Sequence, residues 1–221
     1  MRPSVSREVP AGMASDGLAG LPAPGTSFVG RAAESAAVHA LLGEARLVTL
    51  VGPAGVGKTR LAAAVASGAG SAFPSGCAFA ELAPVRPDFL AQAVAAVLGV
   101  TERPGQPLEQ ALHERLGEGR RLLVVDGAGH LLDAVGDLVG RLLAGCPRLV
   151  VLATSREPLG IPGERVLPVP ALALVDPAIP GSNGSEAGTL FLDRARATGA
   201  GVDADPELVA DLCSRLGGMP L

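Results

Sequence analysis

The chain of 221 residues lacks tryptophan and tyrosine and has only five phenylalanines. Proteins that bind single-stranded nucleic acid stack the bases on aromatic side chains, so this absence argues against that activity. A basic excess is missing too, because the formal net charge is -4 and the pI is about 5.4. We therefore expect no direct nucleic-acid contact from this segment.

Paired cysteines and long apolar runs are also absent. Cys77, Cys146 and Cys213 lie far apart in the sequence, which argues against a zinc site and against a disulfide framework. No apolar run approaches the roughly 18 residues of a membrane span, and the N-terminal residues lack the continuous apolar segment of a secretory signal. These absences favour a cytoplasmic protein without a membrane partner.

Lysine occurs once, at position 58, although lysine and arginine together number 18. It stands in GPAGVGKT (52–59), which matches the phosphate-loop pattern G-x-x-x-x-G-K-[ST]. The apolar run RLVTLVG precedes the glycines and the helix-like LAAAVASGAG follows them, which is the strand, loop and helix order that the motif requires. A compact ammonium fits such a loop, whereas the broad guanidinium of arginine would displace backbone donors.

The phosphate-loop motif assigns a role to each of its residues. Backbone N–H groups would surround phosphate oxygens, Lys58 would reach the β- and γ-phosphates, and Thr59 would bind Mg²⁺. The nucleotide-binding residues predicted here are Gly52, Pro53, Ala54, Gly55, Val56, Gly57, Lys58, Thr59 and Arg60. The alternative, a glycine-rich helix cap with an incidental lysine, is disfavoured by the strand and helix on either side.

Two later apolar runs end in residues suited to the same site. RLLVVDG places Asp126 at a strand end, where a carboxylate would hold the magnesium shell. RLVVLATSRE places Arg156 at another strand end, where it either contacts the γ-phosphate or pairs with Glu157. Residues 127–129 supply no second carboxylate to activate water. We therefore predict Lys58, Asp126 and Arg156 as the catalytic residues of, at most, a slow ATPase.

Alternating strand and helix patterns predict an α/β fold, a three-layer sandwich with a parallel five-stranded sheet covered on both faces. Residues 1–27 are predicted to be a disordered leader, because they are rich in proline, glycine and serine. Residues 28–172 form the predicted P-loop nucleotide-binding domain. Residues 173–221 are predicted to contain a linker and the start of a helical subdomain, with helices within 188–199 and 206–218.

Several motifs occur together in one order. They are FVGR (28–31), GPAGVGKTRLA (52–62), LLVVDGAGHLLDA (122–134), VLATSREPLGIPGERVLPVPAL (151–172) and LCSRLGGMPL (212–221). This set resembles the STAND class of P-loop NTPases, in particular the NB-ARC-like ATPase module of large LuxR-type and antibiotic-regulatory transcription factors of actinobacteria. The resemblance covers nearly everything after the predicted leader.

The resemblance implies further site residues. Val29 would lie against the adenine, Arg31 would approach the phosphates, Arg156 would be the sensor arginine, and Pro220 would pack against the base and sugar. The family usually reads D-N-C-E-H-L after its second motif strand, whereas Gly129 stands here in place of the acid. Binding is therefore expected to persist while hydrolysis is weakened.

The function implied is an ATP/ADP switch that uses Mg²⁺ within a larger transcriptional regulator, with protein partners or self-association through other domains. Preference for adenine over guanine rests on the resemblance alone. Two alternatives stay open from the sequence: a small-molecule kinase or other P-loop phosphotransferase, and a scaffold that binds no nucleotide.

Overall fold

The computed structural model of the protein describes residues 18–22, 26–174, 185–198 and 205–220. Most of the predicted leader, and the predicted linker from 175 to 184, therefore lie outside the described residues. Within the described residues, no helix is both long and apolar enough to cross a membrane.

A parallel sheet forms the centre of the fold. Its strands are β1 (Leu18–Ala19), β2 (Leu47–Val51), β3 (Cys77–Glu81), β4 (Arg121–Asp126), β5 (Leu149–Ser155) and β6 (Glu164–Pro168). They are arranged in the order β1-β3-β4-β5-β2-β6, and every neighbouring pair is parallel. The predicted parallel five-stranded sheet is confirmed, and it consists of β2, β3, β4, β5 and β6. The two-residue β1 extends this sheet at one edge.

Helices cover both faces of the sheet. They are α1 (Ala32–Glu44), α2 (Lys58–Gly68), α3 (Leu90–Val97), α4 (Leu108–Gly117) and α5 (Leu132–Gly145). Alternate residues of each strand point to opposite faces, so the sheet contributes to two apolar cores. Val48 and Val124 belong to the core shared with α1 and α2, whereas Leu47 and Leu123 belong to the core shared with α3, α4 and α5.

Two further helices, α6 (Glu186–Ala197) and α7 (Pro206–Arg215), follow the sheet. Both begin at a side-chain cap, since Ser185 accepts a hydrogen bond from the N–H of Gly188 and Asp205 accepts one from that of Glu207. They pack together in a small separate cluster around Leu172, Ala187, Val209 and Cys213. The two helices predicted in this part of the chain are therefore present.

The structure differs from the sequence-based prediction in three elements. Helix α1 was not predicted, and Leu18–Ala19 pairs with β3 although it lies in the leader that we expected to be disordered. The apolar run CAFAELAPV (77–85) predicts a strand over its whole length, but β3 ends at Glu81, because Leu82 begins a turn in which its carbonyl accepts a hydrogen bond from Val85. The sheet order places β5 between β2 and β4, so three strand ends meet at one edge.

Candidate nucleotide-binding site

The glycine loop joins the carboxyl end of β2 to the first residue of α2. Gly55 and Gly57 have positive φ angles of 77° and 97°, a conformation that glycine adopts without the strain of a Cβ. A Cβ on Gly52 would lie 2.8 Å from the carbonyl oxygen of Val169, so a side chain is excluded there as well. The first N–H groups of α2 have no acceptor within the helix and are available to an anion.

Lys58 lies across this loop. Its Nζ donates hydrogen bonds to the carbonyl oxygens of Gly52 and Pro53 at 2.9 and 2.8 Å. Burial lowers the pKa of Lys58; the nearby Asp126 acts in the opposite direction and the charge of Arg156 lowers the pKa further. The three residues predicted to be catalytic are therefore close enough to influence one another electrostatically.

Asp126 and Thr59, the two predicted magnesium ligands, are in contact. Thr59 Oγ1 lies 2.8 Å from Oδ1 and 3.0 Å from Oδ2 of Asp126. The carboxylate ends β4 and is 4% exposed. Mg²⁺ binds through one or two protein oxygens together with phosphates and waters, and this pair fits that requirement. The described residues contain no cluster of three or more histidine, cysteine, aspartate or glutamate side chains that would hold a metal by itself.

Arg156 follows β5 and is exposed next to Gly129. A Cβ on Gly129 would lie 3.2 Å from the backbone nitrogen of Arg156 and 3.4 Å from its Nε. Of the two roles that the sequence left open, pairing with Glu157 is not observed, because no ion pair joins these two described residues. The guanidinium is thus beside the position at which the resembled family carries its second acid.

Arg31 is buried, with 3% of its surface exposed, and contacts the backbone of the phosphate loop. Its Nη2 donates to the carbonyl oxygen of Val56 at 2.9 Å, and its Nη1 pairs with Glu34 at 2.7 Å. Its backbone N–H donates to Oε1 of Glu186 on α6 at 2.9 Å. Among the described residues it is the one non-glycine residue with positive φ, 66°. Arg31 therefore connects the loop backbone to α6.

A small open cleft lies beside the loop and gathers the other predicted residues. Val29, Arg60 and Pro220 line it together with Val56 and Gly57. Pro220 reaches the loop because the N–H of Leu172 donates to the carbonyl oxygen of Gly218 at 2.9 Å, which docks the last described segment beside β6.

Arg60 also holds the segment before Val29. Its guanidinium donates to the carbonyl oxygens of Thr26 and Ser27 at 2.8 and 2.6 Å. Leu190 and Arg194 of α6 also line the cleft and were not predicted. Their spacing of four residues places them on one face of a helix, but no sequence signal indicates which surface that face meets.

Relatives of known sequence support the class of domain. Residues 27–161 match the family model described as AAA ATPase domain. A Mycobacterium tuberculosis protein provisionally named an HTH-type transcriptional regulator is 40% identical over 188 residues, which are 83% of this chain and 20% of that protein. An uncharacterised M. tuberculosis protein is 40% identical over 200 residues, 89% of this chain and 49% of that protein. The chain thus spans between a fifth and a half of their length.

Solved structures support the fold. A STAND protein with a tetratricopeptide repeat sensor from Pyrococcus horikoshii has a TM-score of 0.55 and 20% identity, covering 87% of this chain and 28% of that one. Cdc6p from Pyrobaculum aerophilum has the same TM-score and identity, covering 77% of this chain and 52% of that one. These neighbours confirm the predicted α/β P-loop NTPase fold. Because the family match extends over more than half of its length, the chain belongs to the AAA ATPase domain family.

Proposed function

We propose that this chain is an ATP-binding switch module that binds Mg-ATP and ADP and hydrolyses ATP slowly or not at all. The observation that carries the proposal is the convergence of Lys58, Thr59 and Asp126 at the phosphate loop, with Thr59 and Asp126 in contact at 2.8 Å. When bound, Mg²⁺ would offset the negative charge of the phosphates. Thr59 and Asp126 would hold it, and Lys58 would contact the phosphates.

Slow turnover follows from the residues beside Asp126. A general base that removes a proton from water typically accelerates the reaction by about 10²- to 10⁴-fold. Gly129 supplies no such base, and the cation nearest to it is Arg156. Arg156 is suited to contact a γ-phosphate, whereas it cannot accept a proton. Among the described residues, positions 127–129 directly after Asp126 therefore offer no carboxylate for activating water, whereas Lys58 and Arg156 are suited to binding and sensing phosphate.

A regulatory setting is the second part of the proposal. The name of the mycobacterial relative, an HTH-type transcriptional regulator, supports a role as the ATPase module of a larger regulator, with protein partners or self-association through other domains. The described cysteines Cys77, Cys146 and Cys213 are buried and unpaired, which is consistent with a reducing cytoplasm.

Equilibrium binding of ATP, ADP and GTP with Mg²⁺ tests the nucleotide site. We expect adenine nucleotides to bind and Lys58→Ala to weaken binding by about 10- to 100-fold, since hydrogen bonds to charged groups contribute about 1.5–3 kcal/mol. Arg215→Ala, which removes an exposed cation of α7, is the matched control and should bind as the wild type does. Absence of binding in the wild type would favour the scaffold alternative, and transfer of phosphate to a metabolite would favour a kinase.

Gly129→Glu tests the explanation for slow turnover. We expect this variant to release phosphate at least about 10-fold faster than the wild type, because it restores a candidate base next to the magnesium site. Gly129→Gln has nearly the same shape without a basic carboxylate and should stay at the wild-type rate. If the wild type already turns over rapidly, or if both variants accelerate it equally, the missing acid is not what limits hydrolysis.

A further inference from the structure

Thr154 is the buried polar residue that lies closest to the carboxylate of Asp126. It stands near the end of β5, the strand between β2 and β4, and is 2% exposed. Its Oγ1 lies 2.6 Å from Oδ1 of Asp126, in a contact between two buried groups. The sheet order therefore inserts a threonine hydroxyl between the strand of the phosphate loop and the strand of the magnesium-binding acid.

The direction of this hydrogen bond follows from its neighbours. The N–H of Gly127 donates to Thr154 Oγ1 at 3.0 Å, so the hydroxyl oxygen is already an acceptor there. A threonine hydroxyl carries one hydrogen, and a carboxylate can only accept. Thr154 therefore donates to Asp126 and accepts from Gly127, and the chain from Gly127 N–H to Thr154 to Asp126 has one arrangement.

This chain of hydrogen bonds fixes one oxygen of the carboxylate. Oδ1 accepts from Thr154, and Thr59 Oγ1 lies within 3.0 Å of both carboxylate oxygens. Rotation of the carboxylate would break the contact with Thr154 and leave the buried Thr154 O–H without an acceptor, which is unfavourable. Mg²⁺ requires nearly ideal octahedral geometry, so the orientation of the few protein oxygens around it affects its affinity.

We propose that Thr154 is a positioning residue for Asp126, which sets the orientation of the carboxylate and thereby how strongly Mg²⁺ strengthens ATP binding. The proposal rests on the proposed function, because it concerns the same magnesium site. Thr154 does not touch the nucleotide in this role. It acts through Asp126, as hydrogen-bonding partners of metal ligands do in other sites, where their removal typically lowers metal affinity by about 10- to 100-fold.

Thr49 provides a matched control within the same sheet. It lies in β2, is fully buried, and its hydroxyl has no hydrogen-bond partner among the described residues. Thr154→Val and Thr49→Val therefore make the same chemical change in two neighbouring parallel strands. Only the first removes a hydrogen bond to Asp126.

The test is ATP affinity of the whole chain, measured in Mg²⁺ and in EDTA, for the wild type and these variants. Mg²⁺ increases the ATP affinity of the wild type by some factor, and we expect Thr154→Val to lower this factor about 10-fold or more. The ATP affinity of Thr154→Val in EDTA should stay within about twofold of the wild-type value. Thr154→Ser keeps the hydroxyl and should restore the enhancement, and Thr49→Val should resemble the wild type. Should Thr154→Val not fold, Thr154→Ala compared with Thr154→Ser makes the same comparison.

The outcomes separate the two proposals. If Thr154→Val keeps the full enhancement by Mg²⁺, or loses affinity equally in Mg²⁺ and EDTA, Thr154 does not position the magnesium ligand although the nucleotide site stands. If the wild type binds no ATP, the proposed function fails, and the positioning role fails with it.

Discussion

At the residue scale, Lys58 is unusual because it is the only lysine in the chain and lies in the phosphate loop. Burial lowers its pKa below the usual 10.5, the nearby Asp126 acts in the opposite direction, and Arg156 lowers the pKa further. Bound phosphate would reverse this shift, because an adjacent anion favours the protonated amine. The pKa of this one side chain is therefore expected to report whether the site is occupied.

This lysine can be observed selectively. In protein labelled with ¹³C at lysine Cε, we expect one side-chain NMR signal, with a pKa below 10.5 in the free protein and a higher pKa after addition of Mg-ATP. In Arg156→Ala without nucleotide, the pKa of Lys58 should be higher than in the wild type, because a neighbouring positive charge is gone. Addition of Mg-ATP should still raise it further. A signal that titrates at or above 10.5 and ignores ATP would contradict this account.

The same shift has a consequence for stability. Because the pKa is lowered on folding, the unfolded chain holds the Lys58 proton more tightly than the folded chain does. Protonated Lys58 therefore lowers the free energy of unfolding at neutral pH. This destabilisation becomes smaller as the pH rises from the pKa of Lys58 in the folded chain towards 10.5, its usual value. We expect Lys58→Met to be more stable than the wild type at pH 7 without nucleotide, with a difference that shrinks in urea titrations at higher pH.

Two glycines after β4 show why a departure from a family pattern has different consequences at neighbouring positions. Gly127 has φ of 81°, which is a left-handed conformation. Asparagine, the usual residue at this position in the STAND class that the sequence resembles, also tolerates this conformation. Its replacement therefore preserves the turn that aims the N–H at Thr154. Gly129 stands where the resembled family usually has an acid, and it supplies no carboxylate, so the chemistry of the site differs at this position.

At the element scale, the sequence predicted the elements whose residues are uniformly apolar. β4 and β5 are buried along their whole length, and their Leu and Val runs indicated strands covered on both faces. Asp126 ends β4 and Arg156 follows β5, which is why the sequence could predict that both lie at the same edge of the sheet.

Helix α1 could not be predicted in the same way. Its sequence, AAESAAVHALLGE, distributes alanines around the helix, and only Val38 and Leu42 are buried. It begins after Arg31, which adopts the left-handed conformation and provides no side-chain cap. An arginine with positive φ is favoured by its buried contact with the carbonyl oxygen of Val56, and such a contact between residues far apart in the sequence leaves no local pattern.

The position of α6 was also beyond the sequence pattern. Its helical character was predicted, but the partner of its first residue, Glu186, is the backbone of Arg31, 155 positions away. Ser27 further contacts Asp193 and Arg194 on the same helix. Helical periodicity identifies an apolar face without identifying the surface that covers it.

Glu186→Ala tests how firmly α6 is held. Removal of this carboxylate leaves the partly buried N–H of Arg31 without its acceptor, which costs about 1–3 kcal/mol. We expect faster amide hydrogen exchange in α6 and at residue 31, with unchanged exchange in β4 and β5, because the loss is local.

Glu186→Gln is the matched variant, since its amide oxygen can still accept the hydrogen bond from Arg31. It should exchange more like the wild type than like Glu186→Ala. Glu207→Ala removes an exposed acid from the first turn of α7 and should leave α6 unchanged. Faster exchange throughout the sheet in Glu186→Ala would show that this contact stabilises the whole domain instead of one helix.

At the scale of the whole molecule, the cleft beside the phosphate loop is shared by separate parts of the chain. The loop contributes Val56 and Gly57, α6 contributes Leu190, and the segment after α7 contributes Pro220. A ligand that binds these parts together stabilises the arrangement in which they are close, by an amount that grows with its concentration relative to its Kd. Nucleotide binding and docking of α6 and α7 are therefore expected to favour each other.

This coupling predicts where bound nucleotide slows hydrogen exchange. With saturating Mg-ADP, we expect protection in residues 52–60 and also in α6 and residues 216–219, although only the first range belongs to the phosphate loop. Lys58→Ala should remove both effects at the same ligand concentration, because it weakens binding itself. Leu190→Ala should act differently, reducing protection of α6 more than that of the loop, since it removes a cleft contact and leaves the phosphate contacts intact. Protection confined to residues 52–60 in the wild type would mean that the helices do not respond to nucleotide, and a switch would then need another element to transmit the state of the site.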